Sequence, residues 1–250
     1  MRVWAKVEYD GTDFWGFQLQ ADQRTVQGEI ERAIREVSGK ETRVIGAGRT
    51  DRGVHAKGQI ISFEVEWRHE LIDLQRALNA TLAADVAILE IGQAREGFHP
   101  RFSAVSRTYR YALLNQEWRS PLARRYAWHV VPKLDLEGMV KASEFLIGTH
   151  DFATFGQPPQ GENTVRTVFR AEFQQQGPLI TFDIEANAFL YQMVRSIVGS
   201  LAWVGLGQMS PEEFGALLQA RDRSQVRQIA PAQGLCLMRV NYGTHEGVSQ

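Results

Sequence analysis

The strongest limit on what this chain can fold into is the order of its hydrophobic periods, because one order of elements occurs twice. The first strand, RVWAKVEY, places Val3, Ala5, Val7 and Tyr9 on one face. The stretch TVQGEIERAIREVSG aligns Val26, Ile30, Ala33, Ile34 and Val37 on one helical stripe. Thr25 stands ready as its N-cap, and Gly39 lies just past its end. TRVIGAG and QIISFEVEW read as strands; in the second, Ile61, Phe63, Val65 and Trp67 alternate with Ser62, Glu64 and Glu66. LIDLQRALNA reads as a short helix and DVAILEIGQA as another strand.

After the linker REGFHPRFSAVS the order begins again. RTYRYALLN is a strand, and LDLEGMVKASEFLIG predicts a helix with Leu136, Met139, Val140, Leu146 and Ile147 on one side. TVFRAEFQQQGPLITFDIEA predicts a hairpin turning at Gly177-Pro178, followed by a helix over FLYQMVRSIVGSLAWVG. SPEEFGALLQ carries a helix start, with Ser210 at N-cap, Pro211 at N1 and Glu213 closing a capping box. LCLMRVNY ends the pattern as a strand. The reading is two α+β halves, 1–104 and 105–250, with a cleft between them. The doubling lies in element order only, with no residue-level repeat.

The 250 residues are 44% hydrophobic and 23% charged with a net charge of −1, so a polyanionic partner is neither demanded nor excluded by overall charge. The single cysteine, Cys236, excludes an intramolecular disulfide and reads as a small buried hydrophobe. The longest apolar tract is interrupted by Gln192 and Arg195 and reads as an amphipathic helix, not a membrane span. The N-terminus lacks an apolar signal core, and a soluble, cytoplasmic protein is expected.

The stretch GAGRTDRGVHAKGQ, residues 46–59, sets one carboxylate, Asp51, among Arg49, Arg52, Lys57 and four glycines. Neighbouring cations keep an Asp ionised even where water is excluded. An ionised carboxylate is a nucleophile without a separate base. Glycines 46, 48, 53 and 58 permit unusual backbone angles and close approach by a ligand. The pattern suits an Asp that attacks a large anionic substrate; the competing reading is a solvated, salt-bridged loop. His55 offers an acid, a base or a ligand, against a structural hydrogen-bonding role. Asp10 and Asp13 in YDGTD could join Asp51 around Mg²⁺, against a turn after a strand.

Arg101, Arg107 and Arg110 stand among Phe98, His99, Phe102, Tyr109 and Tyr111, and Arg119, Arg124 and Arg125 lie in a second aromatic stretch. Guanidinium forks bind phosphates and aromatic rings stack on unpaired bases, the combination expected for RNA contact. Tyr109 and Tyr111 share a strand face with Leu113, so a core role competes, most strongly for Tyr111. Arg195 on an apolar helix needs a carboxylate partner, and Asp51 is the attractive one.

GAGRTDRGVHAKGQ resembles the signature of the A-type tRNA pseudouridine synthases. YDGTDFWGFQLQ, TVQGEIERAI, FHPRFSAVSRTYRY, DFATF, NAFLYQMVRSIVGSL and APAQGLCL resemble the same family, in order across almost the whole chain. The resemblance implies two α+β halves around a mixed, largely antiparallel sheet with a central active-site cleft. It implies a homodimer without cofactor or metal that isomerises uridine to pseudouridine at positions 38, 39 and 40 of the tRNA anticodon stem-loop. By resemblance Asp51 is the nucleophile, Tyr109 stacks on the flipped base and Arg195 pairs with Asp51. Arg49, Arg52, Arg101, Arg107 and His55 complete the substrate-side set. Arg52 departs from the alanine common in the family, and Phe17 varies its usual aromatic.

Two other classes remain open at this level. A non-catalytic RNA-binding module would tolerate Asn at position 51. A metal-dependent hydrolase using Asp10, Asp13 and Asp51 would lose activity to a chelator.

Overall fold

The computed structural model describes residues 1–158 and 161–243, and among them are ten strands and five α-helices. The chain forms two compact units: Met1–Arg107 with the return from Cys236 onward, and Thr108–Leu235.

In the first unit β1 (Arg2–Tyr9) leads to α1 (Val26–Ser38), β2 (Ile45–Gly46), β3 (His55–Glu64), α2 (Leu71–Thr81) and β4 (Val86–Gln93). The strand β1 is central, antiparallel to β3 on one side and β4 on the other, with Val3, Ala5 and Val7 wholly buried. Helix α1 begins where its cap predicts: the Thr25 hydroxyl accepts from the Gly28 amide, and Gly39 ends it at φ +72°. Val26, Ile30, Ala33 and Ile34 are buried as the stripe requires. The last strand, β10 (Leu235–Asn241), lies parallel to β3 with Cys236 opposite His55, which makes this sheet mixed. Cys236 itself is only half-buried, more open than its apolar setting suggests.

The second unit begins within β5 (Ser106–Asn115), at Thr108, and runs on through β6 (Trp128–Val130), α3 (Leu136–Glu144), β7 (Gly148–Asp151), β8 (Val165–Gln176), β9 (Leu179–Ala186), α4 (Met193–Gly205) and α5 (Pro211–Gln219). The strands β8 and β9 form the hairpin expected at Gly177-Pro178. Strand β7 adds antiparallel to β8, and β6 lies parallel to β5. Neither β6 nor β7 has a period long enough to read from sequence. The capping box of α5 forms as its motif predicts, with Ser210 and Glu213 each bonding the other's backbone. Helix α3 differs from expectation: it stops at Glu144, and Val140 and Ile147 are exposed while Met139, Ala142 and Leu146 are buried. Ending the helix early rotates Ile147 off the stripe. No helix of the described residues is long and apolar enough to cross a membrane.

Candidate active site

Asp51 lies on the loop between β2 and β3, and the segment from Gly11 to Phe17 fixes that loop from outside. The Thr50 carbonyl accepts from the Phe17 amide at 3.0 Å, and the Gly53 amide donates to the Phe14 carbonyl at 3.3 Å. The Thr50 hydroxyl is paired with the Tyr9 hydroxyl at 2.8 Å. The turn closes on itself through the Val54 amide to the Asp51 carbonyl, 3.1 Å, with Gly53 at φ +78°. The two segments touch so closely that a Cβ on Gly16, itself at φ +97°, would stand 2.7 Å from the Thr50 carbonyl oxygen. One on Gly11 would lie 2.0 Å from that of Val54. Asp51 is thus presented, half-buried, by a backbone anchored on both sides.

The loop glycines divide their roles. Gly53 supplies a left-handed angle, whereas the space beside Gly46 is taken by the Phe17 ring and that beside Gly58 by the Met238 carbonyl. These two are small for packing, not for a ligand. The Gln59 side-chain Nε2 donates a hydrogen bond to the Gly48 carbonyl at 2.8 Å.

His55 is buried, and its Nδ1 accepts from the Gly11 amide at 3.0 Å. Asp10 Oδ1 lies 3.1 Å from the same nitrogen, but it accepts from the Thr12 amide and hydroxyl at 3.0 and 2.6 Å. The Gly11 amide and the Asp10 carboxylate thus both stand at Nδ1, which fixes the ring against the turn that follows β1. Asp10 caps a short turn over Gly11–Asp13. Among the described residues no three His, Cys, Asp or Glu side chains stand together as a metal ligand set, so Asp10, Asp13 and Asp51 are not so arranged.

The arginines fall into two groups. Arg107 is buried, and its guanidinium donates to the carbonyls of Ala104 (3.1 Å), Ala47 (3.3 Å) and Arg101. It ties the loop before β5 to the start of the Asp51 loop. Arg110 closes both arms on Asp183 at 2.7 Å each, a bidentate pair within the second unit. Arg49, Arg52, Arg119, Arg124 and Arg125 are exposed, and Arg101 is half-buried with its guanidinium 5.6 Å from the Phe102 ring centre. Arg52 lies 3.8 Å over the Trp15 ring.

In the second unit Tyr109 is 8% exposed and meets Phe189 edge-on, with ring centres 5.0 Å apart at 85°. Tyr111 is wholly buried and its hydroxyl donates to the Pro231 carbonyl at 2.7 Å; burial pushes its phenol far up. The core reading of Tyr111 holds. Arg195 is half-buried on α4, its Nε donating to the Ala230 carbonyl at 2.8 Å. Sequence reasoning missed Tyr9, Trp15 and Gly16 as parts of the site. The signals there were the density of glycines and aromatics in YDGTDFWGF and the family resemblance of that stretch.

The profile of a family described as tRNA pseudouridine synthase matches residues 5–103 and 142–243. The chain belongs to the tRNA pseudouridine synthase family. This is a family of isomerases. A tRNA pseudouridine synthase A of Thermoanaerobacter sp. (strain X514) is 40% identical over 94% of this chain and 97% of its own length. That of Roseiflexus castenholzii is 45% identical over 95% and 89%, and that of Halalkalibacterium halodurans 41% over 96% and 92%. A crystal structure of a Cbf5-Nop10-Gar1 complex is similar at 12% identity, over 80% of this chain and 54% of that one, with a TM-score of 0.34. The Asp51 loop and the Gly11–Phe17 segment both fall inside the family match.

Proposed function

We propose that this enzyme isomerises uridine to pseudouridine at positions 38, 39 and 40 of the tRNA anticodon stem-loop, with Asp51 as nucleophile. The observation that carries the proposal is the anchoring of Asp51: its loop is bonded on both flanks, as a group that must meet a reacting carbon demands. Asp51 attacks C1′ of the sugar or C6 of the uracil. The N1–C1′ bond breaks, the base turns, C5 bonds to C1′, the bond to Asp51 breaks and returns the free carboxylate, the C5 proton leaves to solvent and N1 takes one up. The reaction is balanced without oxidant or reductant, and we assign it no cofactor or metal.

A uridine in a stem must first leave its stack, at a cost of a few kcal/mol. Stacking on Tyr109 returns about 1–3 kcal/mol of this, and requires that a ring 8% exposed here be uncovered when RNA binds. Arg49, Arg52 and Arg101 serve as phosphate partners. Arg107 and His55, both buried, act on the substrate side by holding the loop. Arg195 pairs with Asp51, its Nε already fixed on Ala230. The active species is a cytoplasmic homodimer, because a chain of 250 residues is small for gripping a whole tRNA while acting at its anticodon stem. Three adjacent targets call for recognition by shape and phosphate contact more than by base edges.

Tritium release from tRNA carrying [5-³H]uridine tests the reaction, because only a new bond at C5 expels that hydrogen. Asp51→Asn keeps the shape of the side chain and removes its charge. Release should vanish while tRNA binding survives; an Asn variant retaining a tenth of wild-type turnover would refute the nucleophile.

A further inference from the structure

Trp15 and Arg52 pair through a cation–π contact beside Asp51, a contact that the phosphate role given to Arg52 does not by itself explain. The indole is 43% exposed, so burial does not explain it, and the central carbon of the Arg52 guanidinium lies over the ring, 3.8 Å from its centre. Trp15 is immobilised by its backbone: its amide donates to the Arg24 carbonyl at 2.9 Å, and its carbonyl accepts from Gln20 Nε2 at 2.8 Å. The next residue, Gly16, is wedged against the Thr50 carbonyl. The platform is therefore set relative to the peptide that enters Asp51.

A guanidinium stacked through its face keeps its N–H groups at the rim, where they can still donate. Stacking also orders the long side chain beforehand, which lowers the entropy lost when it binds. The result is a cationic plate, one residue from the carboxylate, with donors spaced for two oxygens of one anion. We infer that Trp15 and Arg52 clamp the RNA phosphate next to the target nucleotide, Arg52 making the contact and Trp15 acting as a positioning residue through it. The inference rests on the RNA-modifying reading above, which supplies a phosphate at every nucleotide passing Asp51.

The test measures tRNA affinity against salt, and KM and kcat, with the full chain. Arg52→Ala should lower the slope of log affinity against log salt by about 0.7–0.9, the share of one phosphate. KM should rise about fivefold, with the loss falling on KM and not kcat. Arg52→Lys should restore the slope but only part of KM, because charge survives and the plate does not. Trp15→Ala should raise KM about threefold in the wild-type background and add little once Arg52 is gone. Trp15→Phe, which keeps a ring face, should lie near wild type and guards against misfolding of the alanine variant. An unchanged slope in Arg52→Ala overturns the clamp. So does a Trp15→Ala effect of equal size with and without Arg52. If the wild-type enzyme makes no pseudouridine, the catalytic reading falls, while the salt slope of tRNA binding still decides the clamp.

Discussion

The loop 47–54 and the loop 117–126 both mix arginines with aromatic neighbours, yet they hold them differently. In the first, Thr50 is bonded through both carbonyl and hydroxyl, Gly53 through its amide, and an outer segment packs at the limit of contact. In the second, Trp118 is 76% and Leu122 91% exposed, and Arg119, Arg124 and Arg125 lie outward. Its backbone is held by local turns, such as Tyr126 and Ala127 both donating to the Ala123 carbonyl. The contrast teaches what each loop can do. One holds a carboxylate on an anchored backbone that tolerates little displacement; the other leaves its cations in solvent on a backbone held only by local turns.

Gly16→Ala should break the contrast most. The new Cβ meets the Thr50 carbonyl at 2.7 Å in a left-handed backbone, at a cost of about 1–3 kcal/mol. Turnover should fall about 100-fold through displacement of Asp51. The melting temperature should fall by about 2–4 °C for each kcal/mol, read by thermal denaturation. A variant with wild-type turnover would show that the anchoring does not serve catalysis.

Next comes Tyr109, on the strand that leads into the exposed loop. Loss of a stacking face should make Tyr109→Ala about tenfold slower or worse, while Tyr109→Phe should stay close to wild type in single-turnover assays. Equal inactivity of both would assign the hydroxyl a direct part in the reaction.

Arg124→Ala and Arg125→Ala should each raise KM a few-fold and lower the salt slope of binding by about 0.7–0.9. Turnover at saturating tRNA should change little. A fall in kcat as large as that of Gly16→Ala would erase the distinction between the loops.

The smallest effect concerns His99. Its Nδ1 accepts from the amides of Arg101 and Phe102, and burial, with Arg2 nearby, holds the imidazole below its ordinary range. A depressed folded value means that the unfolded chain binds the proton more readily. Its contribution to stability is therefore full above about pH 6.5 and is lost as pH falls through the lower folded value. Thermal midpoints should show a small drop on acidification that His99→Asn removes; an unchanged profile would sever the link to His99.

Several features were legible in the sequence because their causes are local. Thr25, Gly39 and the Ser210–Glu213 box act within four residues of the groups they cap, and the hairpin turns on adjacent residues. Asp51 stood out for the same reason, as one carboxylate in a run of glycines and cations. The family resemblance added roles for Tyr109 and Arg195, which stand as proposals. Distance along the chain hid the rest. The bonds from Tyr9 to Thr50 and from Phe17 to Thr50 span 41 and 33 residues, and no hydrophobic period records them.

The same limit explains the arginines. Composition counted Arg107 and Arg110 with the phosphate binders. The fold turned the first onto three carbonyls and the second onto Asp183, 73 residues away. Sequence determined which residue types were present, where helices start and stop, and that one carboxylate was unusual. Tertiary structure alone decided which cations face solvent, which glycines serve packing, and how rigidly Asp51 is held. Those outcomes depend on contacts between segments that meet only after the strands pair, and buried polar groups then take whichever partner the fold brings within reach.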